Sequence, residues 1–255
     1  MRGVPASPFF SDNMKIISLL ILTAGLLSAS LSASAAPLKV HFISGSEEYK
    51  SEPSLKEFAS HLQGKGVECT ASWGKDKGKT LPNIAALARA DVMVVFARRL
   101  TLPEEEMKLV RAHWQAGKPV VGIRTASHAW GEKDNPDNAI FDRQVLGGNY
   151  TGHYGDEKVA VKPVAAQSGH PVLKGIKPFA SRKLYKEKEL APTATALQTG
   201  DNGKATEVVS LVNEYRGGRM FYTSLGVPED FHDENFRRLL VNAIYWTAKR
   251  TPPAK

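Results

Sequence analysis

Hydrophobic positions along the chain follow two rhythms. LKVHFISG (38–45), VECTASW (67–73), DVMVVFA (91–97) and PVVGIRT (119–125) are short apolar runs, and near-continuous runs of this length are what strands buried on both faces of a parallel sheet look like. Between them, SLKEFASHLQGKG (54–66), LPNIAALARA (81–90) and LPEEEMKLVRAHWQAG (102–117) read as helices. Pro82 and Pro103 stand near helix starts, Glu104, Glu105 and Glu106 fill a first turn where the helix dipole favours negative charge, and Gly66 and Gly117 are stop signals. Strand–helix alternation with short connections predicts an α/β domain with a doubly wound, mostly parallel sheet. The second half reads differently. EKVAVKPVA (157–165) and EVVSLVNEYRGGRMFYTSLG (207–226) are expected to be antiparallel, the latter a hairpin turning at RGG, and DENFRRLLVNAIYWTA (233–248) an amphipathic helix capped by Asp233.

This pattern excludes the first three dozen residues from the fold. From Met14 the sequence is MKIISLLILTAGLLSASLSASAA: one lysine, an apolar stretch from Ile16 to Leu27, then small residues closing on Ala33-Ser34-Ala35. That is the layout of a cleavable secretory signal peptide over residues 1–36, with translation expected to start at Met14. The expected destination is the periplasm or the exterior, with no stable membrane anchor after cleavage, because the apolar stretch is short for a spanning helix. One domain is expected over residues 37–250, followed by a short polar tail, 251–255. Cys69 is the sole cysteine, so an exported chain would rely on packing instead of an internal disulfide, and in VECTAS the thiol is expected to be a core residue. The formal net charge of +8 does not make a nucleic-acid partner, since the cations are scattered and no recognition-helix, RRM or zinc-finger pattern is present.

In an open parallel sheet, ligands bind at the carboxyl ends of the strands. That rule collects Ser44, Gly45 and Ser46 after the first strand, Arg98 and Arg99 after the third, and Arg124 to His128 after the fourth. GGNYTGHYGDE (147–157) adds a Gly-rich loop with Tyr150, His153, Asp156 and Glu157, and LGVPEDFHDE (225–234) adds Glu229. His41 and His61 read as ordinary strand and helix residues. No HExxH, HxH or CxxC spacing occurs, so neither metal nor cofactor is expected. The turn at Arg124 has the form in which α/β enzymes present a nucleophile, yet a guanidinium stays protonated and has no lone pair to spare.

Four ordered motifs give this turn a context: GIRTASH with its flanks (121–128), GGNYTGH (147–153), HPVLKG (170–175) and GRMFYTSLG (218–226). In this order the chain resembles the ThuA-like (trehalose utilisation) family across nearly its whole mature length. The resemblance implies a class I glutamine amidotransferase-like, flavodoxin-like fold. It places Arg124 where amidotransferases carry the nucleophilic cysteine, and Val227-Pro228-Glu229 where they carry His-Pro-Glu. Glutaminase chemistry is therefore not expected. It further implies carbohydrate catabolism: an isomerase or lyase acting on a keto-sugar or glycoside without a covalent nucleophile, with His153 or Glu229 as base and Arg124 as stabiliser of developing negative charge. Arg98, Arg99, Ser127, His128, Tyr150, Asp156 and Glu157 are the expected substrate-binding residues. The alternative is a non-catalytic carbohydrate-binding protein on the same scaffold. Many members carry His where Arg124 and Val227 stand, so this chain departs from the family at both places.

Overall fold

The computed structural model describes residues 36–132 and 134–252. The expected leader lies outside the described residues except for Ala36, and the expected tail except for Thr251 and Pro252. In chain order the principal elements are β1 (Leu38–Gly45), α1 (Ser51–Leu62), β2 (Val67–Trp73), β3 (Val92–Ala97), α2 (Glu104–Gln115), β4 (Val120–Ile123) and α3 (Pro136–Ile140). There follow β5 (Tyr150–His153), β6 (Lys158–Pro163), β7 (Phe179–Arg182), β8 (Tyr185–Glu187), β9 (Thr195–Asp201), β10 (Thr206–Tyr215), β11 (Gly218–Thr223) and α4 (Glu234–Thr247). The segment expected as a helix over 81–90 is a 3-10 helix, Ile84–Arg89.

Among the described residues nine strands form one sheet in the order β2-β1-β3-β4-β11-β10-β9-β6-β7. β1 to β4 are parallel, and β11 joins β4 in parallel register, Met220 opposite Val120 and Thr223 opposite Ile123. The hairpin β10–β11 therefore reverses the sheet: β10, β9, β6 and β7 continue antiparallel. A hairpin can do this because its tight turn, with Arg216 and Gly217 at positive φ, needs no crossover helix.

The apolar strands feed two cores. Val40, Phe42, Val94, Phe96, Val121 and Phe221 pack on one face with Leu55 and Phe58 of α1 and Phe236, Leu239 and Leu240 of α4. Ile43, Met93, Val95, Val120 and Met220 pack on the other with Met107, Val110 and Trp114 of α2 and with Phe141 and Val145. Burial on both faces is why these strands carry little alternation. Asp233 caps α4 as expected, its Oδ1 accepting from the Asn235 amide at 2.7 Å. Cys69 on β2 is half-buried against the first core, and burial, then the charge of Glu68, pushes its thiol up to about 11. A thiol that holds its proton is a poor nucleophile. Cys69→Ser is expected to keep the fold and activity with about 1 kcal/mol lost; a loss of ligand binding in a folded variant would contradict this.

Strand order places the site. From β1 the chain goes outward to β2, then returns past β1 to β3, so the crevice between the carboxyl ends of β1 and β3 is a topological switch point.

Candidate functional site

A cavity of about 360 Å³ opens at that switch point. Each nearby strand end supplies part of its wall. After β1 come Glu48 and Tyr49, after β3 Arg98 and Arg99, and after β4 Ser127 and His128. The Gly-rich loop adds Asn149, Tyr150, Thr151 and His153; Tyr185 comes from β8, Asn138 from α3 and Asp142 from the segment that follows α3.

β4 passes directly into a 3-10 helix, Arg124–His128, through an Arg124 held at φ 48. Gly122 permits this close packing, since a Cβ there would lie 2.8 Å from Leu146 Cδ2 and 3.1 Å from the Tyr222 ring. The elbow predicted from sequence is thus present, but its side chain turns inward. Arg124 is fully buried. Its guanidinium lies between the rings of Tyr49 and Tyr185, 4.4 and 4.3 Å from their centroids. It donates to Ser224 O at 2.5 Å and to Lys183 O at 2.9 Å. Arg124 lies behind the cavity wall and is not among the lining residues, because aromatic rings and carbonyls outcompete an open cleft for a desolvated guanidinium.

The wall itself is aromatic. The His128 imidazole stacks on Tyr150 with centroids 4.6 Å apart and planes 21° from parallel, Tyr185 lies 4.6 Å from Tyr150, and His153 lies 6.4 Å from Tyr185. Burial, followed by the charges of Arg98, Arg99 and Arg124, pushes His128 down to about 3. It is therefore neutral in ordinary buffers, with a Ser127 Oγ contact at 3.0 Å on Nδ1. The exposed His153 is arranged differently. Its Nδ1 is 2.7 Å from Tyr154 O; a carbonyl only accepts, so Nδ1 is the donor there, and the neutral form of the ring is the tautomer with its lone pair on Nε2. Arg98 and Arg99 hold only 3.5 Å ion pairs with the exposed Glu48 and Glu132, which leaves donors for a ligand.

Of the expected residues, Arg98, Arg99, Ser127, His128, Tyr150 and His153 share this cavity. Glu229, Asp156 and Glu157 are not among its lining residues. Glu229 borders a separate depression with Ser181, Arg182 and Asp233, because β11 runs into a 3-10 helix, Pro228–His232, beside β7. Asp156 pairs with Arg182 at 3.0 Å and Glu157 with Lys204 at 2.7 Å. Ser44 is committed to structure, its Oγ 2.7 Å from Ser51 Oγ. Among the described residues no group of three His, Cys, Asp or Glu side chains converges as a metal ion would require.

The sequence profile of the family described as ThuA, trehalose utilisation, matches residues 39–247. This chain belongs to the ThuA family. Two ThuA-like proteins have the same fold: one of Parabacteroides merdae, 16% identical, TM-score 0.65, over 86% of this chain and 92% of that one, and one of Bacteroides uniformis, 18% identical, TM-score 0.63, over 84% and 93%. A GMP synthase-like protein of Thermoplasma acidophilum superposes with TM-score 0.50 at 13% identity, over 84% of this chain and 95% of that one. No curated protein matches.

The ThuA-family Gly-rich loop starts from residues that sequence reasoning passed over. A π-helix, Phe141–Leu146, follows α3 and ends at Gly147 with φ 84. A Cβ on Gly147 would lie 2.7 Å from the Asn213 side chain, so only glycine fits. This turn folds the next residues back over Asp142, whose Oδ2 accepts from the Tyr150 amide at 3.0 Å. Glu187 Oε2 accepts from the Asn149 amide at 3.1 Å. Both carboxyls are buried. Burial pushes Asp142 up to about 7 against the Tyr150 amide and the charge of Arg143; burial and then the charge of Asp142 push Glu187 up to about 8. Asp142 stands just before the GGNY signal and Glu187 far from it in sequence, and an Asp in FDRQVL or a Glu among the alternating charges of YKEKE looks like surface charge.

Proposed function

We propose that this ThuA-family protein is exported and processes a keto-sugar or glycoside by acid/base chemistry, as an isomerase or lyase without a covalent nucleophile and without glutaminase activity. The observation that carries the reading is the wall formed by His128, Tyr150 and Tyr185 in a cavity that also holds Arg98, Arg99, Asn138, Asn149 and His153. Sugars present apolar C–H faces to stacked rings and hydroxyls to side-chain donors and acceptors, and a few convergent polar groups in an otherwise formed pocket fix orientation. In this assignment His153 Nε2 takes the C–H proton beside a ketone. The guanidiniums of Arg98 and Arg99, which reach the cavity where Arg124 does not, stabilise the developing enolate oxygen. The Cys and His places of the amidotransferase nucleophile and base hold Arg124 and Val227, so no thioester can form. The leader-like pattern over residues 1–36 supports export.

The second reading, a non-catalytic binder, is favoured by His128 itself: a neutral imidazole stacked on a ring serves recognition at least as well as proton transfer. Thermal-shift screening against neutral sugars, uronates and keto-sugars, followed by NMR of each binder in deuterated water, separates the two. The expected result is stabilisation by a keto-sugar with deuterium entering beside its carbonyl. Stabilisation without exchange or product supports the binder, and no shift with any sugar defeats both readings.

A further inference from the structure

We propose that Asp142, paired with Glu187 across Gly148, is the proton-donating partner of His153 in the cavity. The inference rests on the sugar-processing reading for its catalytic part and on the geometry of the pair for the rest. A Cβ placed on Gly148 would lie 3.0 Å from Glu187 Oε2 and 3.4 Å from Asp142 Oδ1, so the two carboxyls face each other across the space that a side chain would occupy. Each has one oxygen bound to a backbone amide of the Gly-rich loop. The other oxygens, Asp142 Oδ1 and Glu187 Oε1, are buried without a partner. Asp142 is 6% exposed and also lines the cavity. It is therefore an acid in the cavity wall, backed by a second acid from the protein side.

The surroundings make this pair hold protons. Arg143 on the same π-helix is the cation nearest in charge effect to Asp142, and it does not offset burial. From β8 comes Glu187, from β10 Glu207, whose Oε2 accepts from the Glu187 amide at 3.3 Å, and from β11 the neutral Tyr222. Two buried carboxyls without a cation between them cannot both ionise at low cost, so the pair retains at least one proton near neutral pH and titrates as a unit. Ordinary surface carboxylates are empty there.

In an enolisation the electrons balance within the site. His153 Nε2 takes the C–H proton beside the ketone, the C–H electron pair becomes the enediol double bond, and Asp142 gives its proton to the carbonyl oxygen. Return of the proton from the neighbouring hydroxyl to Asp142, and of the first proton from His153 to the other carbon, completes an isomerisation and restores both groups. Sequence reasoning assigned no acid to this position. The base role that it offered to Glu229 is not needed.

Two experiments on the full chain test this. Infrared titration of the ligand-free protein reads protonated carboxyl directly: the wild type is expected to lose two protons at about 7 and about 8. Asp142→Asn and Glu187→Gln should each lose one of those steps, the remaining Glu187 step in Asp142→Asn moving to lower pH because its charged neighbour is gone. With a keto-sugar that binds, Asp142→Asn should cut exchange and turnover about 100-fold or more while affinity stays within about threefold. Glu187→Gln should move the alkaline limb of the pH–rate profile. No carboxyl step at about 7 to 8, or one in that range that survives in the double variant, overturns the pairing; Asp230, which burial raises to about 6, titrates below that range in every variant. Binding and turnover intact in a folded Asp142→Asn overturn the catalytic role. A wild type that binds no sugar fails the sugar reading alone, because the titration needs no ligand.

Discussion

Replacing Arg124 with alanine is expected to cost about 3–5 kcal/mol of folding stability, even though Arg124 is absent from the cavity wall. The substitution strips the hydrogen-bond donors from Ser224 O and Lys183 O, removes a cation between two rings, and leaves a void at the join of the Glu47–Tyr49 turn, the end of β11 and the start of β8. Losing buried hydrogen bonds, a desolvated cation–π pair and side-chain volume together accounts for that size. Arg124→Lys should recover only part of it, because one ammonium cannot lie flat between Tyr49 and Tyr185 while reaching two carbonyls on different segments. Chemical denaturation of both variants gives the answer. A loss under about 1 kcal/mol in Arg124→Ala would show that the sandwich does not hold the site together. Since Tyr185 is stacked on Arg124 on one side and near Tyr150 on the other, ligand affinity should fall with stability in these variants, as the aromatic wall loosens.

Stability should also fall on the alkaline side, between about pH 6.5 and 8.5, by about 2–3 kcal/mol. The sign follows from the paired carboxyls. Folding raises Asp142 and Glu187 to about 7 and about 8, above their unfolded values near 4, so the native state binds more protons than the unfolded chain. The contribution of the pair is fully present below the unfolded values near 4, declines from there, and is gone once pH has risen through the folded values. Buried imidazoles act in the opposite sense. His41 and His113 are pushed down to about 4 and His128 to about 3, burial being the main cause. His41 is held neutral between Thr70 Oγ1 at 2.8 Å and Ser72 Oγ at 3.0 Å. These three lose their contribution as pH falls below about 6.5, where the unfolded chain takes up protons first. Maximum stability near pH 6.5, with a decline above it that flattens in the Asp142→Asn, Glu187→Gln double variant, is the expected denaturation profile. A wild type equally stable at pH 6.5 and 8.5 would contradict it.

Much of the framework was legible because it depends on local repetition. The apolar runs of β1 to β4 matched the observed strands to within a few residues, the Glu-rich first turn and Gly117 bounded α2, and Asp233 began α4. The ordered motifs identified the family, and the strand-end rule together with the Gly-rich loop collected six residues that line one cavity. Short or half-polar strands were harder. β5, β7 and β8 have three or four residues each, too few for a period to show, and α3 with its π-helix carries no cap signal stronger than Asn135 before Pro136.

What the sequence determined by itself was the succession of buried strands and amphipathic helices, the hairpin at residues 216–217, and the carboxyl edge at which a ligand would sit, since each follows from hydrophobic period, turn chemistry and the topology of parallel strands. The tertiary structure decided what each polar side chain does there. Arg124 and Asp142 are both polar residues near glycine turns, and nothing within several positions of either tells an exposed role from a buried one. Arg124 is drawn inward because Tyr49, Lys183, Tyr185 and Ser224, distant in sequence, together offer two rings and two carbonyls. Asp142 keeps its proton because β8 brings Glu187 to the far side of Gly148. Burial and charge at a site are sums over neighbours supplied by long-range pairing, and that pairing exists only in the folded chain.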